Sequence, residues 1–129
     1  MKQYQYFQPN KKDIKDKQGD CSIRSLCKFL NKSWVDVFDL LVPIARRTQQ
    51  MLNEKPNLEL FMEEQGASYV SVYAPKGKKY TVAKLAKTGE KMICYCRVGF
   101  RTHLVAVEDG MYFDTWDCGS RIVYGYWKL

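Results

Sequence analysis

Cys21, His103 and Asp114 are the residues of this 129-residue chain whose types and spacing suit thiol chemistry. Cys21 follows Gly19-Asp20 and starts a run in which Ile23, Leu26, Cys27 and Leu30 have the i, i+3, i+4, i+7 spacing of a helix. Unpaired N–H groups and the positive end of the helix dipole meet at a first turn, and both favour a thiolate over a thiol. Gly19 leaves room beside the sulfur for a substrate. A thiol nucleophile needs a base, and His103, the sole histidine, opens a strand-like run, HLVAVE.

Asp109-Gly110 between two strand-like runs is a signal for a two-residue type I′ turn. That turn pairs Glu108 with Met111. Period two along each strand then puts His103, Val105, Val107, Tyr112, Asp114 and Trp116 on one face. Asp114 becomes the diagonal neighbour of His103, with Cα atoms about 7 Å apart. A carboxylate there accepts a hydrogen bond from the imidazole, fixes its tautomer and stabilises the imidazolium. A one-residue slip would bring Asp117 to the histidine instead.

The elements that must hold these groups are legible in outline. Residues 1–17 read as an N-terminal arm whose aromatics, Tyr4, Tyr6 and Phe7, dock on the domain. The first helix starts at Cys21 with Asp20 as its N-cap and Asn31 near its end. Ser33 starts a second helix with Val35, Phe38, Leu41 and Val42 on its core face, which Pro43 kinks or ends. A third helix covers 57–65 and closes at Gly66. A strand covers 69–73, PKGKK forms a turn or an exposed loop, and Thr81 caps a short helix running to Lys87. Four strands follow, over 92–97, 103–108, 111–116 and 121–127, with residues 98–102 as a loop. Helices first and strands later predict one α+β domain, N-terminal helices packed on a C-terminal antiparallel sheet.

Gly-Asp-Cys opening a helix, a late histidine opening a strand and Asp114-Thr115-Trp116 one hairpin later resemble the papain-like cysteine peptidases. Asp114-Thr115-Trp116 is similar to that family's Asn-Ser-Trp, in which the tryptophan shields the histidine. The segment Gln18-Gly19-Asp20-Cys21-Ser22-Ile23-Arg24-Ser25 also resembles the cysteine motif of ovarian-tumour-type deubiquitinases. The small size is closest to the minimal papain-like proteins of bacteria and their phages. The resemblance covers roughly residues 18–127. It implies a papain-like fold, a Cys21-His103-Asp114 triad, a protein or peptide substrate and no cofactor. It also implies an oxyanion-hole glutamine six residues before the cysteine. Lys15 stands there, and Gln18, three residues before, is the candidate in its place.

Composition bounds the alternatives. Apolar residues make up 46% and aromatics 14%, which suits a folded core rather than a disordered chain. No apolar run has the ~20 residues of a membrane span, and the start carries no secretory h-region, so a soluble cytoplasmic protein is expected. Five cysteines, an odd count, argue against a disulfide framework. Cys94, Cys96, His103 and Cys118 could supply a zinc site, but C-x-C lacks the usual knuckle spacing, and no metal is expected. The net charge of +7 and the Lys76, Lys78, Lys79 cluster support a rival reading. In it the protein is a degenerate peptidase-fold binding or inhibitory protein that contacts nucleic acid through its basic surface. Yet no nucleic-acid-binding motif is visible, and the aromatics fall at core positions.

Overall fold

Residues 2–129 are described by a computed structural model. Among them, four helices and one six-stranded sheet make an α+β architecture. In chain order the elements are β1 (Tyr4–Tyr6), α1 (Cys21–Leu30), α2 (Trp34–Thr48), α3 (Lys55–Glu64), β2 (Ser68–Ser71), α4 (Val82–Ala86), β3 (Met92–Val98), β4 (Arg101–Glu108), β5 (Met111–Asp114) and β6 (Val123–Lys128). The strand order across the sheet is β1-β5-β4-β3-β6-β2. The sheet is mixed rather than antiparallel, because β1 pairs parallel with β5 and the other neighbours run antiparallel. The arm expected over 1–17 thus contributes an edge strand. Its three residues are too few for a periodic signal, and their partner lies over 100 residues away.

The Asp109-Gly110 turn forms as the dipeptide predicts. Both residues have positive φ, 54° and 83°, and Glu108 pairs with Met111. A second tight hairpin corrects the expected loop over 98–102. Val98 pairs with Arg101 across Gly99-Phe100, and Gly99 takes the positive φ of 62° that the turn requires. β4 therefore starts two residues before His103 rather than at it. β5 stops at Asp114, short of the expected 116, and within β4 it pairs only with Ala106–Glu108. His103 consequently has β3 on one side, opposite Cys96, and no strand on the other.

Alternation along the strands divides the core in two. Ile93, Tyr95, Leu104 and Trp127 face α1, α2 and α3, packing with Leu26, Leu41, Phe61 and Met62. On the other face Cys94, Cys96, Val105, Val107 and Val123 pack with Val82 and Ala86 of α4. α1 is enclosed over most of its surface, and even Ser22, Arg24 and Ser25 are buried. Asn31 ends it in the left-handed conformation, with its N–H on the Cys27 and Lys28 carbonyls.

α2 departs from expectation in its buried face. Val37, Leu41 and Ile44 form its buried face, whereas Val35 and Phe38 are exposed. Both stripes have helical spacing, so periodicity alone could not choose between them. Of the two outcomes expected at Pro43, a kink or an end, the helix does not end there and continues five residues further to Thr48. Pro43 is exposed, so the carbonyl it leaves unpaired one turn earlier can be solvated. Ser33 and Thr81 cap α2 and α4, their hydroxyls each accepting at 3.1 Å from the N–H of Asp36 and Lys84. α3 starts two residues earlier than expected because Pro56 occupies its first turn, where its missing N–H costs nothing.

Candidate active site

Cys21 is the first residue of α1 and is half-buried, the most accessible of the five thiols. Asp20 stands at the N-cap position but makes no side-chain cap, contrary to expectation. Asn53, from the loop before α3, does that work. Its Oδ1 accepts from the Ser22 N–H at 2.9 Å, its carbonyl accepts from the Ser22 hydroxyl at 2.7 Å, and its Nδ2 donates to the Gly19 carbonyl. These bonds fix the turn that presents the sulfur. No described residue accepts from the Cys21 N–H. Gly19 is required neither by its backbone nor by packing, since a Cβ there would meet nothing within 4 Å. It leaves open space beside the thiol.

The approach to Cys21 is organised by buried Asp13, whose carboxylate accepts from the N–H groups of Lys17 and Gln18 at 2.9 and 3.0 Å. Gln18 is thereby held on the wall of the cleft that Cys21 and His103 line. Lys15 is exposed and is not among the lining residues.

His103 is buried, and its Nε2 lies 2.5 Å from Asp114 Oδ2. The Trp116 ring covers it at a centroid distance of 5.0 Å. Nε2 is committed to Asp114, which leaves Nδ1 for Cys21. Burial pushes the histidine pKa down. Its hydrogen bonds to Asp114 and Cys21, with the charges of both, outweigh burial and raise it to about 9. Asp114 responds oppositely. Burial alone would raise its carboxyl, but the His103 hydrogen bond and the nearby cations hold it below the usual range.

Asp114 is fully buried and saturated. Oδ1 accepts from the Thr115 N–H at 2.8 Å and from Arg24 Nη2 at 3.0 Å. Its carbonyl accepts from the Phe7 N–H at 2.9 Å and the Tyr4 hydroxyl at 3.1 Å, so β1 pins the strand end that carries it. Asp117, the alternative partner, is turned elsewhere and accepts from the Tyr112 hydroxyl and the Gly119 N–H.

The structure adds Arg24, Asn53 and Trp34, which the sequence motifs do not single out. Arg24 bridges Asp114 to Asp20, its Nη1 lying 2.7 Å from Asp20 Oδ1, while Trp34 Nε1 donates to Asp20 Oδ2 at 2.8 Å. Asp20 and Arg24 have the i, i+4 spacing of a helical ion pair, which is the one local signal that could have found Arg24. Asn53 has none, since its partners lie 31 and 34 residues away.

The remaining cysteines are core groups. Burial pushes Cys27 and Cys96 up to about 12, and Cys94 and Cys118 higher still, so all four stay protonated. The four residues considered as zinc ligands do not form one cluster. The group that does converge is His103, Asp114 and Cys118, with donor atoms within 4.8 Å of one another. It does not suit a cation: both Asp114 oxygens are occupied and the Arg24 guanidinium sits against one of them.

The cleft has a volume of about 590 Å³. Cys21, His103 and Gln18 form part of its lining, with Trp116 and the fully exposed Phe100 at the hairpin tip. A carbonyl seated there would meet a helix-start thiol, an imidazole held by a carboxylate, and a free backbone N–H. No helix is long and apolar enough to cross a membrane. Comparison with protein-family models, with curated proteins and with solved structures finds no match.

Proposed function

We propose that the protein is a papain-like thiol hydrolase or acyl transferase, a cysteine peptidase in its simplest form, that uses Cys21, His103 and Asp114 as a triad. The observation that carries this is buried His103, its Nε2 on the Asp114 carboxylate, lining one cleft with the helix-start Cys21. His103, raised to about 9, already holds the proton of the pair on Nδ1 at neutral pH, and the Cys21 sulfur attacks the substrate carbonyl carbon. The oxyanion that forms accepts from the Cys21 N–H and from Gln18 on the cleft wall. His103 then returns the proton to the leaving amine, and the acyl group remains on sulfur as a thioester. Water, or an acceptor amine in the transferase case, gives its proton to His103 and releases the acyl group. Asp114 stays ionised and holds the imidazolium. The tilted Trp116 ring, at 45° to the imidazole, limits water access to the His103–Asp114 bond.

The test uses a defined peptide mixture read by mass spectrometry, with wild type and Cys21→Ala compared at pH 6–8. Cleavage or acyl exchange by wild type alone is the expected result. Selective alkylation of Cys21 by iodoacetamide at pH 6, lost in His103→Ala, should accompany it. Equal labelling of Cys21 in wild type and His103→Ala would overturn the proposal.

A further inference from the structure

Four ionisable groups are buried in line from the nucleophile's helix to the base: Asp20, Arg24, Asp114 and His103. Two carboxylates flank one guanidinium. The cluster therefore carries one uncompensated negative charge until His103 takes a proton.

Arg24 alone would spoil the site. A guanidinium 3.0 Å from Asp114 Oδ1 can neutralise that carboxylate, leaving little charge to hold an imidazolium on Oδ2. Asp20 offsets this. It binds the other arm of the same guanidinium at 2.7 Å, the shorter of the two contacts, and Trp34 Nε1 fixes its second oxygen at 2.8 Å. All three side chains of the Asp20-Arg24-Asp114 bridge are at most 7% exposed, so solvent does little to screen them.

We propose that Asp20, acting through Arg24, is a positioning residue that leaves the charge of Asp114 available to His103. The pair Asp20 and Arg24 also keys the start of α1, and with it Cys21, to the end of β5. Its catalytic meaning rests on the function proposed above, but the charge coupling itself does not.

The groups that face His103 are Cys21 from α1, with Arg24 and Asp20 behind Asp114, Cys96 from β3, Asp114 from β5, and Trp116 and Cys118 beyond β5. Arg121 lies over the Trp116 ring, at 5.4 Å from its centroid. Cys96 and Cys118 are neutral thiols through burial. Asp20, Arg24 and Asp114 are thus the charges to vary once Cys21 is removed.

One histidine in the chain gives one imidazole signal to follow by NMR. The titration is run in the full chain carrying Cys21→Ala, so that the thiol does not couple to it and no substrate is needed. Adding Asp20→Asn should lower the His103 midpoint by about one pH unit or more. Adding Arg24→Gln instead should raise it. Combining Asp20→Asn with Arg24→Gln should restore it to within about half a unit, because the net charge beside His103 returns to its starting value.

A merely structural role for Asp20 would give no such restoration. An unchanged midpoint in folded Asp20→Asn, or a double variant as low as the single, overturns the proposal. If Asp20→Asn does not fold, Arg24→Gln decides the matter with a shift of opposite sign, and an unchanged midpoint there overturns the proposal equally. If neither single variant folds, a double variant displaced by a full unit overturns it. Failure here leaves the Cys21 cleavage and labelling results untouched, so the two proposals fall separately.

Discussion

Under α1, α2 and α3 the sheet presents large apolar side chains, Ile93, Leu104 and Trp127, against Leu26, Leu41 and Met62. Its opposite face carries smaller groups, Cys94, Cys96, Val105 and Val123, and among them the polar His103 and Asp114. The first face excludes water by volume and holds the fold. The second excludes it just as fully, and there low polarity strengthens each charge interaction and penalises any unpaired one. No buried side-chain nitrogen or oxygen lacks a partner among the described residues, so the second face meets that demand by pairing. α1 joins the two regions. Its apolar side packs in the first, while its opening turn sends Arg24 into the second.

Removing one member of the polar set should give the largest effect. Asp114→Ala strands Arg24 and deprives His103 of its acceptor, a loss of about 3–5 kcal/mol in stability. Urea unfolding measures it, and Cys21 alkylation at pH 6 should lose its selectivity in the same variant. Leu26→Ala breaks the other region. A cavity beneath α1 should cost about 2–5 kcal/mol, while Cys21 in the folded fraction keeps its reactivity. Equal loss of reactivity in both variants would erase the division between the faces.

Stability against pH sharpens the comparison. The His103 pKa is raised from 6.5 to about 9, so protonation favours the folded state. The contribution, roughly 3 kcal/mol, is present in full below pH 6.5 and is lost as the pH rises through 9. Urea midpoints at pH 6 and pH 9.5 should show this fall in wild type and much less of it in His103→Gln. Smaller still is Cys21→Ala, at a half-buried position, with a stability change of about 1 kcal/mol or less and complete loss of labelling at that site. The smallest effect is expected from neutralising Lys76 and Lys78, both exposed, and half-buried Lys79, at within about 0.5 kcal/mol and with unchanged Cys21 labelling. Salt-dependent binding of single-stranded DNA that these changes abolish would favour the basic-surface reading instead.

Which parts are legible in the sequence follows from the range of the interactions. The helix from Cys21 and the Asp109-Gly110 turn are local, and turn geometry with strand period two suffices to bring Asp114 to the histidine's face. The buried face of α2 is not legible. Val35 and Phe38 compete with Val37 and Ile44 at equal periodicity, and only the packing of α2 on α1 and α3 selects one stripe. The spacing around Asp20 marks a helix start correctly but points to the wrong partner, because a distant asparagine takes the cap and frees Asp20 for Arg24 and Trp34.

The sequence by itself determined the α+β class, the helix that starts at Cys21, and the register that sets Asp114 against His103. Each is a matter of short-range sterics or side-chain period. Only the tertiary structure decided that β1 would run parallel beside β5 and pin Asp114, that Asn53 would clamp the Cys21 turn, and that Arg24 would join two carboxylates inside the core. Those contacts span 31 to 110 residues, apart from the Asp20 arm of Arg24. Their free energy comes from desolvated pairing that exists only once the apolar face has brought the chain together.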